Sequence, residues 1–141
     1  TGVKRNALAP DELISAIRIP VARGPEQFAK VGTRNAMVIA VCSFAIALDT
    51  ERKTVGTGIG SAAPTPVRAD AAQELAAAEL SWDDPASPLD PDLVIRFGDL
   101  VAAAASPIDD VRGTAAYRHR ALSVLARRTL GWAWADYTRR S

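Results

Sequence analysis

FAKVGTRNAMVIAVCSFAIALDTERKTVGTGIG, Phe28 to Gly60, is the stretch on which the fold turns. It opens polar and basic, with Lys30, Thr33 and Arg34 around Gly32, and then runs apolar from Ala36 to Leu48. Periodicity alone leaves the apolar run open. Ala36, Ala40, Ala45 and Ala47 suit a helix, whereas Val38, Ile39, Val41, Phe44 and Ile46 favour a strand. The residues after Leu48 decide between them. Asp49 to Lys53 is a polar turn, and Thr54 to Gly60 reads as a returning strand. Ala40 to Leu48 and Lys53 to Gly60 are therefore a hairpin, with Ala36 to Leu48 as core strand. A basic turn feeding a buried segment can hold a polar ligand against a rigid core. The residues alone leave open whether Lys30 and Arg34 serve a ligand, a partner chain or only the fold, and charged loop residues are most often just solvated.

Upstream, Leu13 to Ile19 alternates between Leu13, Ser15, Ile17, Ile19 and Ile14, Ala16, Arg18. Bounded by Pro10 and Pro20, that pattern predicts a half-buried strand. Arg23-Gly24-Pro25 is a turn, and Gln27 to Gly32 a second, short, partly exposed strand. Downstream, Pro64-Thr65-Pro66 ends the sheet. Val67 to Leu80 is rich in helix formers, Ser81 to Pro91 is a proline-bearing loop, and Asp92 to Ala105 has Leu93, Val94, Phe97, Leu100 and Val101 at helical spacing. Thr114 to Trp134 is a third helix. Strands first and helices after predict an α+β domain: a small antiparallel sheet of three to four strands, followed by and packed against three α-helices.

The 141 residues suit a single domain, and 48% hydrophobic with 23% charged residues is an ordinary globular composition. A net charge of +1 provides no field to draw nucleic acid or an anionic membrane. Cys42 is the only cysteine and reads as a small buried hydrophobe, which fits a reducing compartment. With one His and one Cys there is no zinc or iron–sulfur ligand set. Ala36 to Leu48 falls short of the ~20 residues that span a bilayer. TGVKRNALAP has no apolar signal core and no initiating Met, which reads as a fragment or a processed chain.

Other features read as structural. Gly56 to Gly60 lacks the spacing and the strand-to-helix context of a dinucleotide loop, and is a strand that admits close backbone approach. Arg112, Arg118, His119, Arg120, Arg127 and Arg128 form no one-sided stripe with a recognisable nucleic-acid module. They read as a solvated helix face or a partner contact, with His119 at the surface. Asp11 with Glu12, and Asp83 with Asp84, are solvated turns. Ser15, Ser43 and Ser61 have no triad context. No catalytic residue and no metal ligand is assigned.

PDELISAIRIP from Pro10, FAKVGTRNAMVIAVCSFAIALD from Phe28, GSAAPTPVRA from Gly60 and DDVRGTAAYRHRALSVLARR from Asp109 together carry a resemblance. In that order they resemble the C-terminal domain of the FAD-binding medium subunit of molybdenum hydroxylases, the family of xanthine dehydrogenase and aerobic carbon monoxide dehydrogenase. The resemblance spans Pro10 to Leu130. It implies an α+β domain, residues 1–141, belonging to a longer FAD-binding subunit and inactive alone. FAD is then shared with preceding domains whose phosphate loops this chain lacks. The resemblance places the apolar contact to the flavin ring on Ile14 and the basic residue beside the ring on Lys30. It implies electron transfer from two-iron, two-sulfur clusters to FAD and on to an acceptor. The clusters and the molybdenum cofactor sit in an iron–sulfur subunit and a molybdopterin-binding subunit, within a cytoplasmic oligomer. Where many members carry an acid before the Ile-Ala pair, this chain has Val38. The alternative is an assembly module without flavin contact, docking through Arg127, Arg128 and the tail from Trp132 to Arg140.

Overall fold

The computed structural model describes residues 6–21 and 23–141. Residues 1–5, part of the N-terminal stretch read as lacking a signal core, lie outside them. Three strands, β1 (Glu26–Val31), β2 (Cys42–Asp49) and β3 (Thr54–Gly60), form an antiparallel sheet in the order β1-β2-β3. Three helices come after the sheet: α1 (Asp70–Glu79), α2 (Pro91–Ala103) and α3 (Ala115–Arg140). The fold is α+β, as the order of patterns predicts.

β2 is the centre of the sheet, and its period-two pattern sets the layers. Cys42, Phe44, Ile46 and Leu48 face the helices and are almost completely buried. Full burial of each large side chain contributes roughly 1.5–3 kcal/mol. Val55 and Ile59 of β3 join them, and Phe97 of α2 meets Phe44 edge-on at 6.2 Å between ring centroids. The hairpin turn closes because Asp49 accepts from the Arg52 amide at 2.9 Å and Lys53 takes a left-handed φ of 53°.

The β2 strand starts later than the apolar run suggests. Ala36 to Ala40 is loop, with Met37 98% and Ile39 71% exposed, and burial begins at Val41. The predicted strand from Leu13 to Ile19 pairs with nothing among the described residues. Leu13, Ile14, Ile17 and Ile19 are all exposed there. Alternation expresses a capacity for burial against a partner, and the helices already fill the inner face of the sheet.

Helix ends obey local chemistry. Val67 exchanges both backbone hydrogen bonds with Ile59, which delays α1 to Asp70. Asp90 caps α2 by accepting from the Asp92 amide at 2.9 Å, with Pro91 at the first helical position. Thr114 caps α3, accepting from the Tyr117 amide at 3.1 Å. α3 runs past Trp134 to Arg140 because its last turns are held. Trp82, Trp134 and Tyr137 pack together with centroids 5.4–6.3 Å apart, and Tyr137 donates to the Trp82 carbonyl at 3.1 Å. Gly98 on α2 lets α3 approach closely: a Cβ there would lie 2.7 Å from Arg127 Cγ and 2.8 Å from the Ser123 carbonyl oxygen.

Two residues of α3 are more deeply placed than a solvated face allows. Arg118 is buried, pairs with Asp110 and donates to the Ser61 carbonyl at 3.0 Å. His119 is half-buried, and its Nδ1 donates to the Ala102 carbonyl of α2 at 2.9 Å. The Asp110 carboxyl is held well below the usual carboxylate range by hydrogen bonds from the Arg112 side chain and amide, and then from Arg118. A depressed folded pKa stabilises the fold above the unfolded value, near pH ~4, and that contribution is lost as pH falls through the folded value. Asp110→Asn is expected to lower the thermal midpoint at neutral pH. It is also expected to shrink the fall in midpoint between about pH 5 and pH 2, measured by circular dichroism against wild type. An unchanged acid limb would contradict this role.

Candidate functional site

With the helices on one face of the sheet, the other face carries no helix among the described residues. β1 alternates so that Gln27, Ala29 and Val31 turn inward while Glu26, Phe28 and Lys30 turn out. Register brings Phe28 opposite Ala45 and Lys30 opposite Ser43, with Gly58 and Gly60 next across the sheet. Small side chains thus pave the open face. A shallow groove of about 510 Å³ runs over it, lined among others by Glu26, Phe28, Ala45, Ala47, Gly56 and Gly58. At Gly60, a Cβ would come 2.5 Å from Ser43 Oγ, so the paving is tight at its end.

Lys30 stands at that end and is exposed. Its ammonium donates to the Val38 carbonyl at 3.0 Å. The loop of residues 32–40 folds back to bring that carbonyl in. The Val41 amide bonds the Val31 carbonyl at 2.7 Å, and the Ala36 amide bonds the Arg34 carbonyl at 2.9 Å. A Cβ on Gly32 would lie 2.5 Å from Val38 Cγ2, so the loop lies directly on residue 32. No carboxylate pairs with Lys30 among the described residues, and a neutral acceptor leaves its positive charge whole. Phe28, two residues along the same face, is 63% exposed, and Met37 and Ile39 of the loop are exposed nearby in sequence. The result is a cation on an edge of apolar and small side chains.

The predicted site residues are only partly gathered. Lys30 sits on this open face. Ile14 is 67% exposed in the extended N-terminal segment and lines neither that groove nor the second one, between Pro20 and the hairpin residues Ala47, Arg52 and Thr54. Arg34 is exposed on the loop, and only its backbone is engaged. Period-two reading of β1 could have found Phe28 beside Lys30. Nothing in the sequence marks the Val38 carbonyl. Cys42 is buried behind β2, where desolvation pushes its thiol pKa up and the Arg118 charge opposes that shift. Among the described residues no group of His, Cys, Asp and Glu is placed to hold a metal, and no helix is long and apolar enough to cross a membrane.

Residues 27–133 match the family model for the CO dehydrogenase flavoprotein C-terminal domain, and the chain belongs to that family. Its structure is similar to that of the Cu,Mo-CO dehydrogenase in its cyanide-inactivated form, with 28% identity and a TM-score of 0.78. It is similar to reconstituted CO dehydrogenase from Oligotropha carboxidovorans, with 26% identity and a TM-score of 0.80. Each match covers 96% of this chain and 46% of the other, so the chain spans less than half the length of these relatives. Quinoline 2-oxidoreductase from Pseudomonas putida 86 shares the fold at 15% identity, with a TM-score of 0.70 over 85% of this chain and 40% of that one. No curated protein sequence matches.

Gly32→Ala is expected to push the loop off Lys30. Hydrogen exchange at the Ala36 and Val41 amides should quicken roughly fivefold, the effect of about 1 kcal/mol of local overpacking. Unchanged exchange at both amides would contradict the contact.

Proposed function

We propose that this chain closes over the flavin ring of an FAD-binding oxidoreductase subunit in a molybdenum hydroxylase-type complex. Lys30 places positive charge at the ring, and Ile14 supplies an apolar contact. The observation that carries this reading is the unneutralised Lys30 ammonium, anchored by a backbone carbonyl at the end of an open, small-residue sheet face. A flat ring system requires such a surface, and a cation there stabilises negative charge on it. Ile14, exposed in a segment without a partner, is available as a second wall. Within the complex FAD takes electrons from iron–sulfur clusters and passes them to an acceptor. The clusters belong to an iron–sulfur subunit and the molybdenum cofactor to a molybdopterin-binding subunit. The single buried thiol of Cys42 suits a cytoplasmic setting.

The diphosphate end of FAD needs another host. Helix N-termini are ready anion sites, but here each is occupied by an acid. Asp70 lies in the first turn of α1, Asp90 and Asp92 begin α2, and Asp109 accepts from the Ala115 amide at the start of α3 at 2.6 Å. Like charge at all three sites disfavours phosphate.

Two measurements test the proposal. FAD titrated into the isolated chain and followed by flavin fluorescence is expected to bind weakly or not at all, and tight one-to-one binding would contradict the reading. In the full subunit, Lys30→Met is expected to make the flavin midpoint potential more negative by about 20–50 mV, the scale of losing 1–2 kcal/mol of charge stabilisation in a two-electron couple. An unchanged potential with unchanged turnover removes Lys30 from the site.

A further inference from the structure

α3 carries six arginines, and four of them are committed inside the chain. Arg118 pairs with Asp110, Arg127 with Asp99, and Arg139 and Arg140 with Asp136. Arg120 and Arg128 have no carboxylate partner among the described residues, and both are exposed. These two lie on one line with the exposed apolar residues of the helix. Tyr117, Arg120, Val124, Arg128 and Trp132 succeed one another at steps of three or four, which keeps them on one side. Tyr117 is 50%, Val124 38% and Trp132 48% exposed. The stripe is about 22 Å long at helical rise.

The opposite side of α3 makes the contacts of the fold, through Leu122, Leu125, Ala126, Thr129, Leu130 and Ala133. The tryptophans two positions apart divide accordingly. Trp134 is buried and its indole N–H donates to the Ser87 carbonyl at 3.2 Å, whereas Trp132 has no protein acceptor among the described residues. Charges three or four apart on a helix can pair, as the Asp136 turn does here, but Arg120 and Arg128 have no acid at either spacing. This stripe leaves two guanidinium groups free between two aromatic side chains. Tyr, Trp and Arg are the residues that dominate protein–protein contacts.

We infer that the Tyr117–Trp132 stripe of α3 docks an acidic surface of a partner protein. Two unpaired arginines with no acid between them set the charge of the occupant. Trp132 and Tyr117 supply the apolar anchors at either end. A nucleic-acid strand is the less suitable occupant, because Asp99 and Asp136 flank the stripe through Arg127 and Arg139 and the chain has a net charge of only +1. The surface differs from the predicted docking residues, since Arg127 is paired and Trp134 is core.

The inference rests on the reading of the chain as part of a multisubunit oxidoreductase, and its test separates the two. The full-length parent subunit, its cognate iron–sulfur subunit and its molybdopterin-binding subunit are purified separately, and association is tracked by sedimentation velocity. The double variant R120E/R128E and the variant W132S are each expected to weaken binding to one of the two subunits about 100-fold. Flavin content and circular dichroism should be unchanged, and R52E, in the hairpin turn, should bind within about twofold of wild type. Wild-type affinity should also fall with added NaCl more steeply than that of R120E/R128E. Wild-type binding that neither variant alters overturns the stripe alone. Unaltered assembly with a destabilised subunit assigns the stripe to an internal contact and likewise overturns it. Binding of a single-stranded oligonucleotide that R120E/R128E abolishes, with assembly intact, overturns it in favour of nucleic acid. A wild-type subunit that binds neither partner overturns the multisubunit reading together with the stripe.

Discussion

A buried guanidinium ties the two layers of this domain together. Arg118 leaves the first turns of α3, reaches the Ser61 carbonyl just past β3 and meets the Asp110 carboxylate ahead of its own helix. A buried charge is tolerable only when paired and hydrogen-bonded, so its partners have little freedom to move. Ser61 itself sits at a left-handed φ of 59°, a conformation that surrounding contacts must hold. With α3 anchored there, its buried side covers β1 and β2, and α2 and the aromatic cluster at Trp82 fill the remaining space. The open face of the sheet is the complement of this arrangement. All three helices are drawn to one side, and Lys30 projects from the other.

Much of this was legible in the residues. The polar turn from Asp49 to Lys53 specified the hairpin, because the run after it, Thr54 to Gly60, is rich in glycine and β-branched residues and suits a returning strand rather than a helix. Leu93, Val94, Phe97, Leu100 and Val101 marked α2 by spacing alone, whereas its cap at Asp90 and its first residue, Pro91, lie in what reads as loop. The errors share a cause. Leu13 to Ile19 and Ala36 to Ala40 have the composition of strand, but composition reports a capacity for burial and leaves the partner unnamed. The early arginines of α3 show the reverse case. Arg118 and Arg120 are identical in type and two positions apart, one buried and one exposed, and only the packing of the helix tells them apart.

The candidate site was half visible for a similar reason. A lysine near a glycine turn is a side-chain feature and can be read. The group that orients it is a main-chain oxygen, which every residue possesses, so no letter in the sequence announces it. Phe28 was within reach through strand periodicity, whereas Met37 and Ile39 were hidden by the expectation of a core strand. Across the rest of the chain, charges are largely neutralised by specific partners. Arg96 binds Glu79, Lys53 binds Asp83 at 2.7 Å, and Arg23 binds Glu51 at 3.1 Å. Among the described residues Arg18, Lys30, Arg34, Arg120 and Arg128 have no carboxylate partner, and of these Lys30, Arg120 and Arg128 stand on strand and helix faces rather than in loops.

The main-chain anchor of Lys30 also bears on how freely this loop can drift. Were the ammonium held by a carboxylate, a change at that one codon would release it. Held by the carbonyl of residue 38, it tolerates replacement of the side chain there so long as the turn keeps its path. The constraint is displaced onto Gly32, whose lack of a side chain lets the turn lie flat. A neutral acceptor at position 38 is therefore compatible with an intact lysine, and the absence of an acid there says little about whether the cation has kept its place. Because the atom that a Cβ at residue 32 would meet is Cγ2 of Val38, the two positions are coupled: what residue 32 tolerates depends on the side chain at residue 38.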